Sequence, residues 1–224
     1  VLDIEDCYLQ SPLANQILNF IKAFAEASGL APYSLQTHEG FWRFLVIREM
    51  EYTSDLMVNI ITSKEDPAMN LLKEKIVMAF PKISSLINGI SQKKSQVAVS
   101  DYEIVLHGQG TIFEKLNAYP FEISSNSFFQ TNTLAAEVLY GVILKMADLK
   151  GNEIVYDLYC GTGSIAITLA PHAKKLIGIE LAESAITNAE KNVQRNQVSN
   201  CQFVHGDMRQ VLKDIREKPD VIIV

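Results

Sequence analysis

Three carboxylates and two glycines have the spacing in this sequence that suggests chemistry. Asp157, Tyr159, Gly161, Gly163 and Ser164 lie close together in Glu153-Ile-Val-Tyr-Asp-Leu-Tyr-Cys-Gly-Thr-Gly-Ser-Ile165. Glu180 ends the apolar run Lys-Leu-Ile-Gly-Ile-Glu, and Asp207 follows Gly206 further on. Glycine lets a backbone turn sharply and lets a ligand come close. A carboxylate placed like Glu180 can accept both hydroxyls of a ribose, and Asp207 can accept from an adenine amino group. Asp157 can face an amino or cationic group. Each acid alone fits a helix cap or a solvated loop equally well. The group gains meaning from its order, one acid at the end of each of three successive apolar runs.

Those runs need elements to hold them. Ile154-Val155-Tyr156 is a continuous apolar run, as a parallel strand buried on both faces would be. Ser164 is placed to cap the helix that carries Ile165, Ile167 and Leu169. The alternation continues, with strands at 153–158, 175–180, 201–205 and 220–224 and helices at 164–170, 182–196 and about 208–216. Strand and helix alternating with short links predict a doubly wound parallel sheet with right-handed crossovers. Ligands in such a sheet bind beyond the carboxyl ends of the strands, where the three acids fall. A dinucleotide loop has a third glycine that is missing here, and no lysine or arginine is paired with the acids. A pyrophosphate is therefore disfavoured. S-adenosylmethionine, with an amino group and a sulfonium, suits them.

The first half reads differently. Apolar residues recur at helical spacing from Leu13 to Ala27, with Ser28-Gly29 as a stop. Phe41–Glu49 and Leu56–Thr62 form an antiparallel hairpin, and Pro67–Phe80 is a second amphipathic helix. Gln96–Val99, Tyr102–His107 and Thr111–Leu116 are short strands. Residues 1–122 are thus predicted as an α+β domain and 123–224 as the nucleotide-binding one. The boundary falls just before the polar loop Ser124–Thr133, and a helix capped near Asn132 follows to Ala147. Arg43 and Arg48 are candidate phosphate contacts, although arginines on a hairpin are usually solvated.

Composition bounds the classes. The 224 residues are 48% apolar, enough for a real core, and the net charge of −6 carries no basic signature of a nucleic-acid binder. Cys7, Cys160 and Cys201 are too few and too scattered for a disulfide framework, so a reducing, cytoplasmic setting is expected. No apolar run approaches membrane-spanning length and no signal peptide is evident, so no membrane partner is expected. Val1 is not a methionine and Val224 lies within an apolar run, so a fragment is expected. Its strand 220–224 would leave an open apolar edge suited to self-association.

Further motifs sharpen the reading. Ser127-Phe-Phe-Gln-Thr-Asn132 and Asp157-Leu-Tyr-Cys-Gly-Thr-Gly163 resemble, in order and spacing, signatures of the RNA 5-methyluridine (uracil-5-) methyltransferases of the TrmA/RumA type. Asp3-Ile-Glu-Asp-Cys7 and Gly40-Phe-Trp-Arg-Phe-Leu-Val-Ile-Arg48 resemble that family's central domain. The resemblance implies a class I (Rossmann-like) S-adenosylmethionine-dependent methyltransferase domain, truncated after its fourth strand and preceded by a small α+β central domain. It implies that Gln130 contacts cofactor or target base, Tyr159 lines the cofactor site and Glu180 holds the ribose. Ser164 and Asp207 would be secondary contacts.

The resemblance also implies a substrate and a reaction. The substrate would be RNA, ribosomal (23S) or transfer. A cysteine thiolate would add to uracil C6 so that C5 attacks the methyl donor, and a base would then remove the C5 proton. Neither Cys160, in the cofactor loop, nor Cys201, at the amino edge of a strand, suits that role. The family's Asp-Pro-Pro-Arg motif follows its fourth strand, and Lys218–Val224 matches the approach to it. Cofactor binding without methylation is therefore expected. Cys7 stands where members with a 4Fe–4S cluster have their last cysteine ligand; one cysteine holds no cluster, so that group is expected in a longer parent only. Two alternatives stay open: a class I methyltransferase acting on a protein or small molecule, and a non-catalytic RNA-binding module.

Overall fold

The computed structural model describes residues 6–224, so most of Asp3–Cys7 lies outside the described residues. The chain divides into two compact units, residues 1–49 with 54–112 and residues 50–53 with 113–224. This division falls earlier than the boundary read from the sequence, inside a strand of the hairpin that precedes the polar loop.

In the first unit, α1 (Pro12–Ala27) starts where Ser11 Oγ accepts from the Ala14 amide at 3.0 Å, with Pro12 in the first turn. It stops at Ser28 and Gly29, whose φ of 71° leaves the helical region. β1 (Trp42–Glu49) and β2 (Leu56–Thr62) pair antiparallel. α2 (Ala68–Ala79) then crosses over to β3 (Ser85–Ile90), parallel to β2, and β4 (Tyr102–His107) returns antiparallel to β3. The order β1-β2-β3-β4 leaves β2 and β3 buried along their whole lengths. Leu56, Val58, Ile60 and Leu86 meet Ile17, Ile21, Leu72 and Ile76 of the helices in one apolar cluster.

β3 was not expected from the sequence, and Gln96–Val99 forms no strand. Gly89 and Asn88 look like turn residues but serve a central strand. A Cβ on Gly89 would lie 2.8 Å from Ser100 Cβ. Asn88 Nδ2 donates to Ile60 O and Thr62 Oγ1, both at 3.0 Å. Arg43 donates to the Ser91, Lys93 and Ser95 carbonyls at 2.5, 2.6 and 3.2 Å and lies 4.2 Å over the Tyr33 ring. This candidate phosphate contact is thus occupied within its own unit. Burial lowers the pKa of the Arg48 guanidinium, which faces Glu103.

β5 (Thr111–Leu116) and β6 (Tyr119–Ser124) form a hairpin, with Asn117 at φ 54° in its turn. In the second unit α3 (Thr133–Ala147) is capped by Asn132, whose Oδ1 accepts from the Ala135 amide at 2.9 Å. Next come β7 (Ile154–Leu158), α4 (Ser164–Leu169) and β8 (Lys175–Glu180). α5 (Glu183–Arg195), β9 (Cys201–His205), α6 (Met208–Asp214) and β10 (Val221–Ile223) complete the unit. The four strands are parallel in the order β10-β7-β8-β9. Connections therefore reverse direction at β7, which makes a switch point beside its carboxyl end. Val155, Ala166, Leu169 and Leu176 are buried beneath Ile143 and Leu144 of α3. β10 is an edge strand with Ile222 half exposed.

Candidate cofactor site

Strand register brings the acids together. Leu158 pairs with Ile179 and Glu180 with His205, so β7, β8 and β9 end at one level. Past that level the chain forms the loops 159–163, 181–182 and 206–207. The Tyr159 and Cys160 amides donate to Ile179 O at 2.9 and 3.1 Å, which ties the glycine loop to the end of β8. The Gly206 amide donates to Glu180 O at 3.0 Å and ties in the third loop. The result is a cleft of about 370 Å³ lined by Tyr159, Glu180, Leu181, Asp207 and Arg209 among others.

The loop is wound tightly. Tyr159, Gly161 and Gly163 have φ of 67°, 54° and 78°. For Tyr159 this left-handed backbone is strained, and the side chain is 62% exposed. Gly161 is needed for conformation rather than space, since a Cβ there would meet only Phe128 O at 3.6 Å. Gly163 is needed for both, because a Cβ would lie 2.7 Å from the Phe203 ring. Gly163 is also the N-cap of α4, which corrects the reading of Ser164 as its cap. Ser164 is the first helical residue, and its hydroxyl is 2.7 Å from Tyr140 Oη of α3.

Glu180 holds two loops at once. Its Oε1 accepts from the Leu181 and Ala182 amides at 2.7 and 2.9 Å, and Oε2 accepts from the Gly161 amide at 3.1 Å. A carboxylate oxygen has two accepting directions, so Oε2 is the one with capacity to spare. Asp207 caps α6, its Oδ1 accepting from the Arg209 amide at 2.8 Å. Arg209 lines the same cleft, a cation that the sequence reading did not place there, and it weakens the case against a pyrophosphate.

Asp157 is buried within β7. Loss of solvent, with the Glu180 charge adding to it, pushes its carboxyl up to about 7, against a bond from the Ala166 amide. Its Oδ2 and the Thr162 hydroxyl are buried with no hydrogen-bond partner. Gln130 is half-buried outside the cleft's lining, on the loop whose Phe128 carbonyl faces Gly161. Phe129 is buried against Phe121, ring centroids 5.9 Å apart, while Phe128 is 67% exposed.

Cys160 and Cys201 are held as thiols in this geometry. Burial pushes the Cys160 thiol far up and the Cys201 thiol up to about 12. Cys7 belongs to the first unit, where its amide and carbonyl are clamped by the Asn15 side chain at 3.1 Å each. Among the described residues no group of three or more His, Cys, Asp or Glu is arranged to hold a metal ion. No described helix is long and apolar enough to cross a membrane.

Two residues escaped the sequence reading. Asn188 and Asn192 are buried on α5; Asn188 donates to Ser124 Oγ of the polar loop and Asn192 to Thr162 O within the glycine loop. The available signal was their i, i+4 spacing on the apolar stripe of that helix.

Comparison with known proteins decides the family. The family model for tRNA (uracil-5-)-methyltransferase matches residues 69–218. The chain belongs to the tRNA (uracil-5-)-methyltransferase family. An uncharacterized RNA methyltransferase of Chlorobaculum tepidum is 44% identical over 211 residues, covering 93% of this chain and 44% of that protein. Among solved structures, the Pyrococcus abyssi tRNA (uracil-54, C5)-methyltransferase in complex with S-adenosyl-L-homocysteine has a TM-score of 0.78 at 28% identity. It covers all of this chain, which matches 53% of that one. The M. jannaschii tRNA m1G37 methyltransferase shares the fold, with a TM-score of 0.51 at 17% identity over 81% of this chain and 54% of that one. The chain therefore spans about half the length of the relatives it matches. Its second unit has the class I methyltransferase fold of this family.

Proposed function

We propose that this chain is the cofactor-binding part of an S-adenosylmethionine-dependent RNA uracil-5-methyltransferase. The observation that carries the reading is the meeting of Tyr159, Glu180 and Asp207 in one cleft at the carboxyl ends of β7, β8 and β9. Glu180 Oε2 accepts a ribose hydroxyl while Oε1 stays bonded to its loop. Tyr159 packs along the ligand and Asp207 offers its free oxygen to an adenine amino group. The partnerless Asp157 Oδ2 and Thr162 hydroxyl fit a ligand carrying an amino group. When bound, S-adenosylmethionine supplies the electrophilic methyl group. Gln130, on the loop beside Gly161, reaches the cofactor or the target base.

The acceptor is a uridine in RNA. The resemblance implied ribosomal (23S) or transfer RNA; the matching family and the Pyrococcus neighbour are both named for tRNA, which makes tRNA the first substrate to assay. Cys160, buried, and Cys201, partly buried, are held as thiols and supply no nucleophile to uracil C6. The chain alone binds cofactor without turnover, acts in the cytoplasm and exposes the β10 edge to self-association. Any 4Fe–4S cluster involving Cys7 belongs to a longer parent protein.

Calorimetric titration with S-adenosylhomocysteine tests the binding, and labelled-methyl transfer to uridine-containing RNA tests the chemistry. Saturable binding with no methyl transfer is expected. Absence of binding defeats the cofactor reading, and turnover by this chain defeats the claim that it is catalytically incomplete.

A further inference from the structure

α5 carries asparagine at 188 and 192 and is followed by Asn196 at its C-cap, and the three side chains bond to β6 and its following loop in order. Asn196 Nδ2 donates to Pro120 O at 2.8 Å. Asn192 accepts from the Glu122 amide at 2.7 Å and donates to the Glu122 carbonyl at 3.2 Å. Asn188 Nδ2 donates to Ser124 Oγ and Ser127 Oγ, both at 2.9 Å, and those hydroxyls are 2.8 Å from each other. The match is geometric. Four residues of helix rise about 6 Å and two residues of strand about 6.7 Å, so positions i, i+4 and i+8 on α5 keep step with every second residue of β6.

Two of these amides replace apolar residues on the buried stripe of α5, beside Ala185 and Ala189. A buried amide is costly unless its bonds are made, and these are made to functional segments rather than to α5 itself. Asn192 Nδ2 also donates to Thr162 O of the glycine loop at 3.2 Å. One side chain thus bonds the strand leading to Phe128–Gln130 and the loop that shapes the cleft. Asn188 pins the start of the Phe128–Gln130 segment itself.

We propose that Asn192 and Asn188 are positioning residues that lock the Ser124–Gln130 loop in register with the glycine loop, so that the base-side and cofactor-side parts of the site move as one. This rests on the cofactor reading above for its binding arm only. Asn192 must both donate and accept, whereas Asn188 only donates, to hydroxyls that can themselves donate. The pair therefore responds differently to Asp. Asn192→Asp turns a carboxylate toward two carbonyls, while at Asn188→Asp one serine hydroxyl can donate to the carboxylate as the other keeps the Ser124–Ser127 bond.

The test uses the full chain, with amide hydrogen exchange over 120–132 and 159–163 and calorimetry with S-adenosylhomocysteine. Asn192→Ala and Asn192→Asp are expected to raise exchange in both segments and to weaken binding about tenfold, the loss of roughly one net hydrogen bond. Asn188→Ala is expected to raise exchange in 124–130 alone, and Asn188→Asp to restore most of the protection. Ile186→Val on the same helix is the control, expected to lower thermal stability but leave affinity and loop exchange unchanged. Wild-type exchange and affinity in a folded Asn192→Ala would overturn the proposal, as would equal effects in Ile186→Val. If Asn192 variants fail to fold, unchanged exchange over 124–130 in Asn188→Ala overturns it. If the wild-type chain binds no S-adenosylhomocysteine, the cofactor reading fails and the exchange arm alone decides the brace.

Discussion

In the sheet of the first unit, strand direction alternates at β1-β2 and β3-β4, whereas in β10-β7-β8-β9 every strand runs the same way. The consequence shows in the polar residues. In the first unit only β2 and β3 run parallel, so the four strands split their carboxyl ends between the two edges, and Arg43 and Asn88 bond to the unit's own backbone. Parallel strands deliver all their carboxyl ends to one edge, and Glu180 and Asp207 meet there with accepting capacity left over. Shared strand direction gathers the acids of the second unit into one cleft.

Substitutions can sharpen or break that contrast. The largest effect is expected from Leu176→Ala, which opens a cavity in the buried core of the parallel sheet. It should cost about 2–5 kcal/mol by denaturant unfolding and take cofactor binding with it. Asp157→Asn comes next. The native carboxyl titrates near 7 and the unfolded one near 3.8, so the native state holds the extra proton between those values. Wild-type stability should therefore fall as pH rises from about 4 through about 7, and the Asn variant should lack that fall. The difference at pH 8 should be on the order of 1–3 kcal/mol, read from unfolding curves at several pH values.

Arg43→Ala should cost about 1–2 kcal/mol by removing its charge-assisted bonds, with cofactor affinity unchanged by calorimetry. A weakened affinity would break the division of labour between the two sheets. The smallest effect is expected at Tyr159→Gly. Glycine relieves the left-handed backbone and should stabilise the fold by up to about 1 kcal/mol in thermal unfolding. It should also weaken cofactor binding through loss of the aromatic wall.

Much of the second unit was legible because alternating apolar runs and helices admit one topology. β8 and β9 fall on the residues read from the sequence, 175–180 and 201–205, and the acids follow from their ends. The first unit was less legible because long-range contacts override local preference. Ser85–Ile90 looks like a turn until Gly89 meets Ser100 and Asn88 meets β2. β6 was hidden by Pro120, which an edge position tolerates. The acids that line the cleft were legible, whereas Arg209 and the supports were not. The stripe position of Asn192 marks it as buried, but its partners are 30 and 70 residues away and no local pattern names them.

The most direct test is calorimetry of the wild-type chain and Glu180→Ala with S-adenosylhomocysteine, alongside thermal unfolding of both. Saturable binding by the wild type, weakened at least about tenfold in a folded Glu180→Ala, is the predicted result. Equal affinity in the two proteins, or no binding by a folded wild-type chain, would contradict the assignment of the cleft.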